Sequence, residues 1–186
     1  MNVIGVGGAG CNVAKQFTKY PQYTVHYIDH KGYGKGSLKL KKYDHPEKYE
    51  EHAPDFTTFL EHLDGDDVIL ITCGASIVSS VMLRLLEKMQ NKNVTVHYIK
   101  PDDAMLSKIK KLNEKVVRNV LQHFARSGKF DRVFLWDNQE VENVVGDVHP
   151  EIHAEFLQLE SRIWKQMKKK CFFRLTTFAS RVIFII

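Results

Sequence analysis

Short apolar runs alternate with amphipathic helical patterns along most of this chain, and that alternation limits the fold more than any other feature. Val3–Val6 reads as a strand, and Val13, Ala14 and Phe17 then recur at helical spacing over Gly10–Tyr20, up to Pro21. Tyr23–Asp29, Asp67–Thr72, Val94–Ile99 and Asp131–Trp136 read as four more strands. Helical patterns cover Phe56–Leu63, Ser76–Met89 and Asp102–Arg126. Asp137-Asn138 opens a short helix, and Pro150–Lys170 reads as a long one. Residues 30–49, rich in Gly and Lys, read as a long basic loop. Most of the strands are apolar at successive positions rather than alternate ones, so both of their faces are buried. That is the signature of a mostly parallel sheet with helices on both faces, a doubly wound, Rossmann-like α/β fold.

The 186 residues are enough for one domain with a core of its own. Residues 1–170 form the expected α/β domain, and 171–186 a basic and apolar C-terminal tail without domain character. The net charge of +5 is spread along the chain, so it does not indicate a nucleic-acid partner. Three cysteines without metal-ligand spacing suggest a reducing interior, and a cytoplasmic protein is expected. No run reaches the ~20 apolar residues of a membrane helix, so no membrane partner is expected.

The first strand runs directly into GVGGAG, which meets the pattern G-x-G-x-x-G through Gly5, Gly7 and Gly10. In an open α/β sheet, ligands bind outside the carboxyl ends of the strands. Glycines there let the backbone approach an anion, and the free N–H groups at the helix start point at it. Asp29 closes the second strand about 20 residues further on, where a dinucleotide fold places its ribose carboxylate. Three other features point to a different nucleotide. Asn12 lies just inside the first helix, with an amide able to reach a base or sugar. Gly74, Ala75 and Ser76, with Ser79 and Ser80, form a second small-residue turn between strand and helix. Asn138 ends the fifth predicted strand, where its donor and acceptor could read a purine edge.

Together these stretches resemble the tubulin/FtsZ family. GVGGAGCN is similar to that family's first glycine loop, GxGGxGxN. The helix after YIKP resembles the segment following its TKP motif. DRVFLWDNQEV resembles the strand and loop carrying a guanine-contacting Asn, and HPEIHAEFLQLESRIW the long central helix that closes the nucleotide pocket. The resemblance covers about residues 1–168 and implies the family's N-terminal nucleotide-binding domain. It also implies GTP or GDP as ligand, with or without Mg²⁺, and a partner in a second copy of the chain. By position, Gly7, Gly8 and Ala9 would lie against the diphosphate and Asn12 near the base or sugar. Asn138 would contact guanine, Phe156 would pack on the purine, and Glu160 would accept from guanine N1 and N2. The family's GGGTGTG loop corresponds here to residues 74–80, where a single glycine remains and Ile77-Val78 are β-branched. The family's ribose-binding Glu has no clear equivalent; Met105 lies near its position and Asp103 beside it.

No Asp or Glu follows Glu160 in the sequence, so no catalytic residue is assigned. At most a weak GTPase, completed by a neighbouring subunit, is expected. Two other readings stay open. One is a Rossmann-type protein binding NAD or an adenylate, supported by GVGGAG and Asp29. In it Cys11, near a helix N-terminus, would have a lowered pKa only if it were not a buried packing residue. The other is a ligand-free scaffold whose interface is the apolar tail together with the basic run at 165–170.

Overall fold

A computed structural model of the chain describes residues 1–128, 130, 132–139, 143, 151, 154, 155 and 158. The strands are β1 (Asn2–Val6), β2 (Thr24–Asp29), β3 (Ser37–Lys39), β4 (Asp67–Cys73), β5 (Asn93–Lys100) and β6 (Arg132–Asp137). They form one sheet in the order β3-β2-β1-β4-β5-β6. Every neighbouring pair is parallel. The helices are α1 (Gly7–Gln16), α2 (Pro46–Glu51), α3 (Thr57–Glu61), α4 (Ser79–Lys88) and α5 (Lys108–Arg126). Because all the strands run the same way, every carboxyl end lies on one rim. The chain reverses its direction of winding between β1 and β4, the point at which open α/β sheets place a ligand crevice.

The apolar runs are explained by two cores, one on each face of the sheet. Val3, Ile69, Ile71 and Phe134 pack with Cys11, Val13, Ala14 and Phe17 of the α1 layer. Ile4, Val6, Val68 and Leu70 point the other way, against Tyr49 of α2, Met82, Leu85 and Leu86 of α4, and Val117 and Leu121 of α5. Consecutive residues of one strand therefore serve opposite cores, and no polar alternation is possible.

The structure departs from the sequence reading at several ends. The expected loop at 30–49 holds a three-residue strand and a short helix. β3 pairs with β2 through Tyr27↔Ser37, Ile28↔Leu38 and Asp29↔Lys39. Three residues are too few for periodicity to register, and the flanking Gly34 and Gly36, both at positive φ, read as turn. α2 starts on Pro46 at its first turn, an N-terminal signal that the basic surroundings hide. α1 begins at Gly7 rather than Gly10. α4 begins at Ser79 rather than Ser76, which leaves 74–78 as an irregular turn. Asp102 caps a single 3-10 turn, Asp103–Met105, and the long helix starts only at Lys108. Most of the helix expected over 150–170 lies outside the described residues. Among the described residues, no helix is long and apolar enough to cross a membrane.

Candidate functional site

The glycine turn lies where β1 ends, beside this reversal of winding. Its glycines do different work. A Cβ on Gly5 would come within 2.6 Å of the Gly10 carbonyl oxygen, 2.7 Å of Cys11 Cα and 2.8 Å of Ala14 Cβ. A Cβ on Gly10 would strike the Ile71 carbonyl oxygen and lie 3.3 Å from Thr72 Cα. These two glycines let α1 lie directly on β1 and β4. Gly7 has φ +70°, a left-handed conformation that costs an L side chain strain. Its free side faces the Ser76 hydroxyl, with Ser76 Cβ 3.1 Å from where a Cβ would stand. Gly8 is half-buried and has nothing within 4 Å of its Cβ position. Ala9 and Asn12 are exposed.

α1 therefore starts on three small residues, Gly7, Gly8 and Ala9. Their N–H groups have no intrahelical acceptor. No side chain caps this end, and no acidic residue lies in the first turn. An uncapped helix start without a carboxylate presents free donors and a favourable dipole to an anion.

The second turn, 74–78, approaches the first through Ser76 but is built differently. A Cβ on Gly74 would strike the Tyr98 hydroxyl and lie 3.0 Å from Glu114 Cγ. The volume freed by Gly74 is filled from within the protein. Gly74 N–H donates to the Ile99 carbonyl at 3.2 Å, and Ser76 N–H to the Cys73 carbonyl at 3.1 Å. Ser79, fully buried, donates to the Cys73 carbonyl at 2.5 Å and pairs with the Thr72 hydroxyl at 3.0 Å. Ser80 donates to the Ile77 carbonyl at 2.8 Å. Burial pushes the Cys73 thiol up, while the Ala75 and Ser76 N–H groups pull it down.

Two residues of α5 that the sequence reading did not single out hold this turn. Asn113 Nδ2 donates to the Gly74 carbonyl at 2.7 Å and to the Ser76 carbonyl at 3.0 Å. Glu114 is buried, accepts from the Tyr98 hydroxyl at 3.3 Å, and has Arg118 Nε 3.1 Å from its Oε1. The signal was present in the pattern. Asn113, Val117 and Leu121 stand at i, i+4 and i+8, so a polar amide occupies the buried stripe of the helix. A buried amide needs partners, and the turn carbonyls supply them.

At the far end of the rim, Lys100 Nζ and Asp137 Oδ2 pair at 2.7 Å across the ends of β5 and β6. The hydrogen bond to Asp137 raises the Lys100 pKa. Asn138 follows directly. Its Oδ1 is shielded from solvent and accepts no hydrogen bond from the described residues. Three strand spacings separate β1 from β6, about 14 Å along the rim. A lone anion cannot touch both the α1 start and Asn138. An extended ligand, anionic at one end and hydrogen-bonding at the other, can.

Asp29 is fully buried. Its Oδ1 accepts from His30 N–H at 2.8 Å and its Oδ2 from the Tyr33 hydroxyl at 3.3 Å. A carboxylate already engaged in this way is not presented to a ribose. Cys11 is also fully buried, 3.2 Å from the Gly5 carbonyl. Burial, with the Asp29 charge second, pushes its thiol up to about 12, the opposite of an activated thiol. Iodoacetamide at pH 8 is expected to leave Cys11 unmodified in the folded protein and to alkylate it after unfolding, as read by peptide mass. Alkylation in the native state would contradict this packing. Asp103 and Met105 are exposed beyond β5. Phe156 and Glu160 lie outside the described residues.

No family model matches the sequence, and no curated protein does. Solved structures match it at low identity. CetZ from Methanosaeta thermophila strain DSM 6194 aligns with a TM-score of 0.67 at 15% identity, over 87% of this chain and 53% of that one. CetZ2 from Haloferax volcanii, described as a GTPγS-bound protofilament, aligns with a TM-score of 0.68 at 14% identity, over 85% of this chain and 57% of that one. FtsZ from M. jannaschii, described as an empty dimer, aligns with a TM-score of 0.65 at 14% identity, over 95% of this chain and 57% of that one. The chain spans a little over half the length of each. The likeness is one of fold: this sheet and its helices match the N-terminal domain of FtsZ and tubulin.

Proposed function

We propose that this chain binds a guanine nucleotide along the carboxyl rim of its sheet. The diphosphate lies on the N–H groups of Gly7, Gly8 and Ala9, and the base lies at Asn138. The observation that carries this reading is the uncapped start of α1 where the winding reverses between β1 and β4. The fold shared with a GTPγS-bound CetZ2 supports it. So does the Asn138 Oδ1, which accepts no hydrogen bond from the described residues and belongs to an amide able to pair with a guanine edge. Phe156 packing on the purine and Glu160 accepting from the same edge belong to this proposal. Mg²⁺, where it accompanies the nucleotide, would be held by the phosphates. Self-association of the chain, as in the CetZ2 protofilament, is part of the same reading.

At most weak GTP hydrolysis, completed by a neighbouring copy of the chain, belongs to the same reading. The engaged carboxylate of Asp29 argues against the NAD alternative.

Calorimetric titration with GDP and ADP tests the proposal. GDP is expected to bind and ADP to bind far more weakly. Asn138→Ala removes two hydrogen bonds worth about 1 kcal/mol each and is expected to weaken GDP about 30-fold. Equal binding of GDP and ADP, or no effect at Asn138, would remove the guanine assignment.

A further inference from the structure

We infer that the outer face of α5 binds the surface of a membrane rich in anionic lipid, through an apolar stripe set beside a lysine stripe. The inner side of the helix is accounted for, since Asn113, Glu114, Val117 and Leu121 are buried. The outer side is not. Met105 is 87% exposed, Ile109 61%, Leu112 65% and Val116 49%. Ile109, Leu112 and Val116 stand at i, i+3 and i+7 and so share one stripe, with Met105 just ahead of it on the 3-10 turn. Lys108, Lys111 and Lys115, all exposed, repeat the same spacing one residue earlier. Lys108 stands four residues before Leu112 and Lys115 three after it, so the two stripes adjoin.

The charge of this face selects its partner. From Ala104 to Gly128 the sequence has one carboxylate, Glu114, which is buried and held by Arg118. Asp103, the exposed acidic residue just before, interacts with Lys100. The exposed side of α5 is therefore cationic, and its complement is anionic. On a bilayer, the apolar side chains enter the boundary between headgroups and acyl chains, while the lysines reach the headgroup phosphates on their long stems. A lysine needs only a nearby negative charge there, not a fixed geometry. Side chains this exposed stand on a ridge, which a bilayer can close around and which offers no groove to a peptide. Other occupants fit less well. A second copy meeting the same face would bring two lysine stripes together. The apolar tail at 171–186 carries Arg174 and Arg181 behind Lys168–Lys170, and the lysine stripe repels it. The absence of a run long enough to span a bilayer does not count against this partner, because a helix lying on the surface needs only a stripe.

The test is co-sedimentation of the full chain with vesicles of phosphatidylcholine alone and of an equal mixture with phosphatidylglycerol, at low and high salt. The mixed vesicles are expected to bind the chain at low salt, less so as salt screens the charges, and phosphatidylcholine alone not to bind it. Lys108→Gln, Lys111→Gln and Lys115→Gln together are expected to weaken binding about 100-fold. Ile109→Ser with Leu112→Ser is expected to weaken it about 30-fold. All five positions are exposed, so both variants are expected to fold, and urea midpoints check this. Binding through the basic and apolar stretch at 165–186 would survive both sets of changes, so unchanged binding in the folded variants would overturn the inference. Failure of the mixed vesicles to bind the parent chain, or equal binding to both kinds, would overturn it too. Retention on polyglutamate without vesicle binding would give the face to an acidic protein instead. None of these outcomes depends on nucleotide binding, whose failure leaves this inference intact.

Discussion

Gly10→Ala is expected to lower the stability of the fold by about 2 kcal/mol, whereas Gly8→Ala, two residues earlier in the same helix, leaves it unchanged or slightly raised. On helix propensity alone the two changes would look alike, since alanine in place of glycine favours a helix by about 1 kcal/mol. Packing separates them. At position 10 the new methyl runs into the Ile71 carbonyl oxygen and the Thr72 backbone. Those atoms belong to β4, a central strand held on both sides by β1 and β5. A backbone carbonyl in a paired strand cannot turn away as a side-chain tip can. α1 must lift off the sheet and loosen the contacts of Val13, Ala14 and Phe17 in the core beneath it. Overpacking of this kind costs about 3 kcal/mol, which exceeds the propensity gain. At position 8 nothing lies within 4 Å of the new methyl, so only the propensity gain remains. Urea denaturation of the two variants beside the parent chain decides the matter. A Gly10→Ala midpoint equal to that of the parent would show that α1 does not rest on β4 as described. Gly8→Ala then serves as a probe of the site: with the fold intact, any loss of GDP affinity reports the methyl group in the phosphate seat.

The contrast between Gly8 and Gly10 also marks where the sequence could be read and where it could not. The doubly wound sheet was legible because its strands are apolar at consecutive positions, and only burial of both faces explains a run such as that of β4. The first turn was legible because its glycines are crowded between a strand and a helix. The division of labour among those glycines was not, since G-x-G-x-x-G does not say which glycine meets a ligand and which meets the protein. The structure assigns Gly5 and Gly10 to packing, sets Gly7 at positive φ against Ser76, and leaves Gly8 with open space beside it. The same ambiguity affected Gly74. A glycine at the second turn suggested the approach of a ligand, but the group that approaches is Tyr98. Asp29 shows the limit from the other side. Its position at the end of β2 matched a ribose carboxylate, yet the residues that engage it, His30 and Tyr33, follow immediately in sequence within a stretch that read only as loop. β3 and α2 were missed for a related reason. A strand of three residues and a helix of six are too short to impose a period, and they form because β2 and α4 offer surfaces to pair with and pack against.

His97 provides the largest expected dependence of stability on pH. It is buried in the middle of β5, stacked on Phe134 at 4.9 Å and near Trp136 at 6.1 Å. The Trp136 indole donates to His97 Nδ1 at 3.0 Å, so that nitrogen must stay unprotonated for the bond to exist. Burial lowers the pKa of the ring to about 3. In the unfolded chain the imidazole titrates at its ordinary value, about 6.5. Above that value neither state carries the proton, and the stability contributed by the stack is fully present. As the pH falls below 6.5 the unfolded chain gains a proton that the folded protein refuses. Stability is lost at about 1.4 kcal/mol per pH unit until the folded pKa is reached. Over the whole window the loss is about 5 kcal/mol, a large share of what a domain of this size possesses. His26 is also lowered by burial and adds to the loss in the same direction. His97→Gln keeps an acceptor for the Trp136 indole and cannot gain a proton. It is expected to be less stable than the parent at pH 7, because the ring stack is gone, and to lose much less stability between pH 6.5 and 4. Urea denaturation of both chains across that range gives the two slopes. Equal slopes would mean that His97 is not the neutral, proton-refusing ring its burial makes it, and that the acid sensitivity of the fold arises elsewhere.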